Sequence, residues 1–402
     1  MIRPIHPFPA RMAPDLAIAE LTRLRRGSVV LDPMAGSGTV LRQASENGHS
    51  AIGFDVDPMA VLVSRAWTTS VGDVAVERVY KRVLADVARL GRSSPTLPWI
   101  DQDKETADFV RYWFGPKQRV VLRRIAYALA ADHDPRDAAA LDVIRVALSR
   151  IIITKDRGAS LGRDVSHSRP HKTMETSTFD VLEAFERSVG RVRKLLKDSP
   201  PPGGVRVSQG DARKLHGVRP SSVDLVLTSP PYLNQIDYIR GHRLALVWFG
   251  HRCEDLRTIR GTSIGTERGL ALSDEPDRVL SVVRAMAPAK GLSSRHASMI
   301  IRYAQDLLDV MAEVSRVLRP GGRAVMVVGN SCLRDTFIKN AHGAIRAGSD
   351  AGLMLEAKVE RRLPVRRRCL PLPSKASAPL GRRMRTESIV TLVKPRNAAG
   401  RT

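Results

Sequence analysis

Short apolar, β-branched runs closed by turn residues recur along the chain. They are Val29-Val30-Leu31, Ala51-Ile52-Gly53-Phe54, Val205-Arg206-Val207 and Val223-Asp224-Leu225-Val226-Leu227, each soon followed by a carboxylate, a glycine or a proline. Runs of that length with such boundaries read as buried strands. A further run over 323–330 follows the turn Arg319-Pro320-Gly321-Gly322, and 353–359 and 387–393 can supply a final pair. Helical spacing fills the stretches between, over 60–92, 120–131, 138–153, 179–196 and 300–318. Strands separated by helices predict an α/β fold with a mostly parallel sheet. Between the second and third strands the chain is mainly helical over 68–204 and returns through Pro200-Pro201-Pro202-Gly203-Gly204, a large helical insertion.

The fourth run ends in Thr228-Ser229-Pro230-Pro231-Tyr232. Neither proline has an N–H, both have φ near −65°, and Ser229 before a proline is driven to an extended conformation. The Ser229 hydroxyl and nearby carbonyls are therefore expected as pre-set acceptors beside a flat ring, Tyr232. Such a loop at the carboxyl edge of a sheet suits a planar group with an N–H donor, and an exocyclic base amine fits that description.

The first run continues as Leu31-Asp32-Pro33-Met34-Ala35-Gly36-Ser37-Gly38-Thr39, a strand leading into a glycine turn, with a helix opening at Val40. Glycines let backbone approach a ligand closely, and a helix amino end offers free N–H groups. The turn lacks Gly-Lys-Ser/Thr and so is no phosphate loop, and it lacks the third glycine of dinucleotide sites. The second run ends in Asp55, placed to accept from a pair of ribose hydroxyls, while Asp57 before Pro58 is suited to cap a helix. An acid, Asp211, stands just past the third strand.

These segments resemble the DNA amino-methyltransferases, a family of Rossmann-like methyltransferase fold. Its catalytic loop is an acid, Asn or Ser followed by Pro-Pro and an aromatic residue, and its cofactor loop reads Asp-Pro-x-x-Gly-x-Gly-Thr. The resemblance implies S-adenosyl-L-methionine as cofactor, held by Asp32, Pro33, Ala35, Gly36, Ser37, Gly38 and Thr39, with Asp55 on the ribose and Asp211 on the adenine amine. It also implies that His6-Pro7-Phe8-Pro9-Ala10-Arg11 covers the cofactor carboxylate, with Arg11 as its partner. Ser229, Pro230, Pro231 and Tyr232 would form the catalytic loop. Ser in the first position goes mostly with cytosine N4, and Asp or Asn mostly with adenine N6.

On this reading the core comprises 1–67, with the cofactor elements, 205–250, with the catalytic loop, and 300–395. The insertion 68–204 is a candidate DNA-recognition module, 251–299 is expected to be a mobile loop region, and 396–402 is a tail. Candidate nucleic-acid contacts are Asn234, Asp237 and Arg240 after the catalytic loop, His167 and Arg169 in the donor-rich stretch 162–172, and the cluster Arg366, Arg367 and Arg368. His167 and His171 are four apart, but Pro170 breaks a shared helix face and no cysteine is near, so no metal site is expected.

Charge fits a polyphosphate partner. The 402 residues carry 65 Lys+Arg against 41 Asp+Glu, a formal net charge of +24, a field that would speed encounter with DNA. A basic surface that merely solubilises would have the same composition. The three cysteines, Cys253, Cys332 and Cys369, have no paired spacing and read as reduced thiols. None follows a proline, as a carbon-5 cytosine mechanism would require. The first residues hold no apolar stretch for a signal peptide and no run approaches a membrane span, so a cytoplasmic location is expected.

The reaction implied is transfer of a methyl group to cytosine N4 in a base flipped out of double-stranded DNA, as in a modification enzyme with a possible cognate restriction enzyme. Adenine N6 methylation, amine methylation in RNA, and a non-catalytic nucleic-acid-binding role on the same scaffold stay open.

Overall fold

The computed structural model describes all residues except 1, 9–11, 132, 165–169, 234–236, 266–275, 288–292, 334–335, 363–385 and 397–402. Seven strands form one sheet: β1 Val29–Asp32, β2 Ser50–Asp55, β3 Val205–Gln209, β4 Val223–Thr228, β5 Leu318–Gly329, β6 Met354–Arg362 and β7 Thr386–Val393. They lie in the order β6-β7-β5-β4-β1-β2-β3. All neighbouring pairs are parallel except the two made by β7, which is antiparallel to both β5 and β6. The two central strands are the most apolar, with Val30, Leu31 and Leu225 to Leu227 fully buried, as befits strands covered on both faces. Strand β6 is an edge. Its exposed Lys358, Glu360 and Arg362 guard it against pairing with another chain.

The turn Pro320-Gly321-Gly322 is absorbed into β5 instead of preceding it. Val223 lies opposite Leu318, yet Leu225 lies opposite Arg323, so the intervening residues loop out while the ladder resumes. Gly321 makes this possible with φ of +80°.

Helices cover both faces. The expected helix over 60–92 is two, Pro58–Thr68 and Asp73–Arg89, because the chain turns extended at Thr69 and restarts at Gly72. They pack with Pro116–Ala130, Ala138–Ile152 and Val181–Asp198 into one apolar core that includes Val79, Val83, Leu122, Ile144 and Phe185. The insertion joins the rest through Trp248, fully buried and edge-on to Phe114 at 5.0 Å, and through Trp99, whose indole N–H donates to the Val247 carbonyl at 2.8 Å. On the other face Ser294–Val317 and Asn340–Asp350 pack against β4, β5 and β7. The stretch 251–299, expected as loop, carries helices over Cys253–Thr262 and Pro276–Met286, where Leu256, Val279, Val282 and Met286 bury at helical spacing beneath a charged surface.

Arg42, on the helix Thr39–Glu46, is 0% exposed. Its guanidinium donates to the carbonyls of Trp67 (2.8 Å), Ser199 (2.8 Å) and Pro200 (3.2 Å), and its Nε to Glu46 (2.8 Å). Burial lowers its pKa, and the Glu46 carboxylate works against that loss. Among the described residues no helix is long and apolar enough to cross a membrane.

Candidate active site

Chain order reverses direction beside β1, whose neighbours are β2 on one side and β4 on the other. The crevice at the carboxyl ends of strands there is where open α/β sheets bind ligands. The expected motifs converge on it.

Asp32 ends β1 and is 3% exposed. It accepts from the Thr228 hydroxyl at 2.7 Å and the Met34 amide at 3.2 Å, so the last residue of β4 is tied directly to the last residue of β1. Burial raises its pKa to about 7 against the pull of those two hydrogen bonds. Gly36 and Gly38 follow with φ of +51° and +80°. A Cβ on Gly38 would stand 3.0 Å from the Ser64 hydroxyl and 3.1 Å from its Cα, so the turn lies flat on the helix Pro58–Thr68. Ser64 in turn donates to the Gly36 carbonyl at 2.8 Å. No side chain caps the helix that starts at Thr39.

Asp55, at the end of β2, accepts from the Gly36 amide (2.8 Å) with one oxygen and from the Asp57 amide (2.9 Å) with the other. Each oxygen keeps a lone pair for a further donor. Burial, then the neighbouring Asp57 charge, raises the Asp55 pKa to about 6. Asp57 caps the helix Pro58–Thr68 as expected, accepting from Met59 at 2.9 Å. Its second oxygen does something the sequence does not suggest, meeting His242 Nδ1 at 2.5 Å. The His242 ring lies 5.0 Å from Phe8, which itself covers Gly36, with 3.6 Å between the Phe8 ring and the position of a Cβ there. The segment ending at Phe8 thus lies over the glycine turn.

Asp211, past β3, is engaged by Arg213, whose Nη2 lies 2.7 Å away. Burial pushes Asp211 up, but the Arg213 hydrogen bonds outweigh it and hold the carboxyl below its ordinary value. Arg213 also donates to Asp306 at 2.6 Å and to the Thr262 carbonyl at 2.6 Å. Asp306 accepts from the Gly265 amide at 3.1 Å, and a Cβ on Gly265 would stand 3.3 Å from the Tyr232 carbonyl. A continuous chain of contacts therefore runs from Asp211 to the Ser-Pro-Pro-Tyr loop.

That loop is clamped at three points. Ser229 donates its hydroxyl hydrogen to the Val327 carbonyl at 3.0 Å. Tyr303, 0% exposed, donates to the Pro231 carbonyl at 3.0 Å. Ser331 donates to the Leu233 carbonyl at 2.7 Å and accepts from Asn340 at 2.8 Å, while the same Asn340 amide reaches the Gly329 carbonyl at 2.9 Å. Burial raises the Tyr303 pKa well above the ordinary phenol range, so it acts only as a donor here. The Ser229 hydrogen is therefore committed, and the lone pairs expected to act as acceptors remain.

Beyond the loop, Asp237 pairs with Arg260 and lies 3.7 Å from Arg240, so that carboxylate is already neutralised. Arg240 opens the helix Ile239–Leu246 with its side chain partly exposed. Arg11, His167, Arg169, Asn234, Arg366, Arg367 and Arg368 lie outside the described residues. The ends of the stretch 162–172 pair as a short antiparallel ladder, Gly162 with Lys172 and Arg163 with His171. Tyr303, Asn340, Ser331, Arg213, Asp306 and His242 were not legible as site residues. Only the full burial of the polar Asn340, a property of the folded state, singles it out.

The sheet order and the glycine turn at its switch point define a Rossmann-like methyltransferase fold of the kind that binds S-adenosylmethionine. No protein-family model matches the chain. It is 22% identical over 339 residues to the type II methyltransferase M.AvaI of a Nostoc species, a stretch covering 75% of this chain and 68% of that relative. It is 21% identical over 357 residues to the type II methyltransferase M.MvaI of Kocuria varians, covering 82% and 77%. A solved structure of a TehB-like SAM-dependent methyltransferase from Corynebacterium glutamicum covers 94% of this chain and 87% of its own, at 10% identity and a TM-score of 0.31. The chain is thus related to type II methyltransferases, and S-adenosylmethionine-dependent methyl transfer is its class of activity.

Proposed function

We propose that this protein methylates the exocyclic N4 amine of a cytosine flipped out of double-stranded DNA. The observation that carries the proposal is the polarity of Ser229. With its hydrogen given to Val327, its oxygen can only accept, which is what a base amine requires of it.

The glycine turn fits the cofactor. A side chain at Gly38 would crowd Ser64, and two carboxylates with spare lone pairs, the buried Asp32 and the half-buried Asp55, face the same crevice. Asp32, Pro33, the backbone of Ala35, Gly36, Ser37 and Gly38, and Thr39 would hold the methionine part, Asp55 the ribose hydroxyls and Asp211 the adenine amine. Arg11 is the proposed partner of the carboxylate. When bound, S-adenosylmethionine supplies an electrophilic methyl group.

The residues of the chain do the rest. Tyr232 stacks on the extruded base, which must leave the helix for its amine to be reachable. Ser229 Oγ and the Pro230 carbonyl accept the two amine hydrogens. Those hydrogens become more acidic as the nitrogen gains a bond, so the two contacts strengthen toward the transition state. Pro231 and its Tyr303 clamp fix the acceptors beforehand. A serine whose hydrogen is already donated is no base, and the amine proton leaves to water afterwards. The insertion 68–204, Arg240 and the arginine cluster Arg366 to Arg368 are the proposed DNA contacts.

The test is transfer of labelled methyl from S-adenosylmethionine to DNA and to RNA, followed by digestion to nucleosides. N4-methylcytosine from DNA is the expected product. N6-methyladenine would overturn the target assignment, and label in RNA alone would overturn the DNA assignment.

A further inference from the structure

A cavity of about 460 Å³ opens between the amino-terminal segment and the end of the insertion. Arg3 and His6 line one wall, and Arg150, Arg191, Lys194 and Asp198 line the other. Four cationic side chains therefore face one carboxylate. Among the described residues none of the four forms an ion pair, whereas neighbours on the same helix, Val181–Asp198, do: Arg187 pairs with Glu183, and Arg193 with Asp73 and Glu77. Arg191 and Lys194, which face the cavity, are left without such a partner. Arg150 is half-buried and donates to the Ile5 carbonyl. Burial and the neighbouring Arg191 charge push its pKa down to about 10, the mark of a cation short of a counter-charge.

We propose that this cavity is a phosphate-binding site that takes a backbone phosphodiester of bound DNA. The ligand chemistry follows from the cavity alone, while its source in DNA rests on the function proposed above. A volume within the roughly 300–1,000 Å³ of small-ligand sites is larger than one phosphate needs and leaves room for flanking sugars. The cavity shares its wall with the segment that continues to Phe8, whose ring covers Gly36. A strand held here is held to the piece of chain lying over the glycine turn.

The test uses the full chain and a double variant, Arg191→Ala with Lys194→Ala, both exposed helix positions whose loss spares the core. Inorganic pyrophosphate and a short DNA duplex are titrated into each protein across a salt series. The variant should lose pyrophosphate binding, bind duplex about tenfold more weakly at low salt, and show a salt slope smaller by about one per cation removed. Its affinity for S-adenosylmethionine and its melting temperature should match the parent. Equal binding of both probes by parent and variant overturns the site. Loss of pyrophosphate binding with duplex binding unchanged overturns its assignment to DNA and leaves a site for free phosphate. Absence of methyl transfer with both binding effects intact overturns the proposed function and not the cavity.

Discussion

The glycine turn and the Ser-Pro-Pro-Tyr loop face the same crevice but are held in different ways. Residues 32–39 are shaped locally, by two left-handed glycines, by amides that bond carboxylates at the ends of β1 and β2, and by the helix Pro58–Thr68 beneath. Residues 229–233 are held from afar. Val327, Tyr303 and Ser331 reach them across 72 to 98 residues of sequence. A site for a flexible ligand can be built from backbone alone. A loop that, on the proposed function, presents two acceptors to one amine requires rigid outside support.

The largest effect should separate the two directly. Ser229→Ala removes the acceptor that the proposed function places on the reacting amine, and kcat for methyl transfer should fall about a hundred- to a thousandfold. S-adenosylmethionine affinity, measured by calorimetry, should stay as it was. A parallel loss of cofactor binding would show that the two loops are not independent.

The second prediction concerns pH. Asp32 has an ordinary pKa of 3.8 and a folded value of about 7, so the folded protein binds its proton more tightly than the unfolded chain. Its contribution to stability is full below about pH 4 and is lost as pH rises through about 7. Urea denaturation of cofactor-free protein should show roughly 2 to 4 kcal/mol of this loss, present in the parent and missing in Asp32→Asn. Identical pH profiles would remove the buried carboxylate from the account.

Gly38→Ala tests local shaping. A side chain at φ of +80° against Ser64 should cost about 1 to 3 kcal/mol and weaken cofactor binding, read by denaturation and calorimetry. The smallest expected effect tests the remote clamp. Tyr303→Phe deletes one hydrogen bond to Pro231 and keeps the ring, so about 1 kcal/mol, or up to tenfold in kcat, should be lost without change in cofactor affinity.

This contrast also explains what could be read from the sequence. β1, β2, β3 and β4 were legible because each is a short β-branched run with an abrupt boundary, and Asp57 as a cap because Asp before Pro starts helices by local chemistry. The division of 60–92 into two helices was not, since Thr69 and Gly72 interrupt an apolar spacing that continues on both sides. Helical structure after Cys253 was hidden by its charge. The partners that complete the site lay furthest out of reach. Periodicity shows that Tyr303 faces a core, but nothing in it names Pro231 as the carbonyl it meets, and Arg213 and Asp306 stand 93 residues apart.

Arg42 has a meaning for how such a chain can change over generations. One guanidinium grips Trp67, where the insertion begins, and Ser199 with Pro200, where it ends. The core thus meets the whole insertion as a closed loop with both feet on one side chain. Chain of another length could be exchanged between those feet while the register of β2 against β3 stays the same, making this junction the natural splice point for varying the insertion without disturbing the sheet.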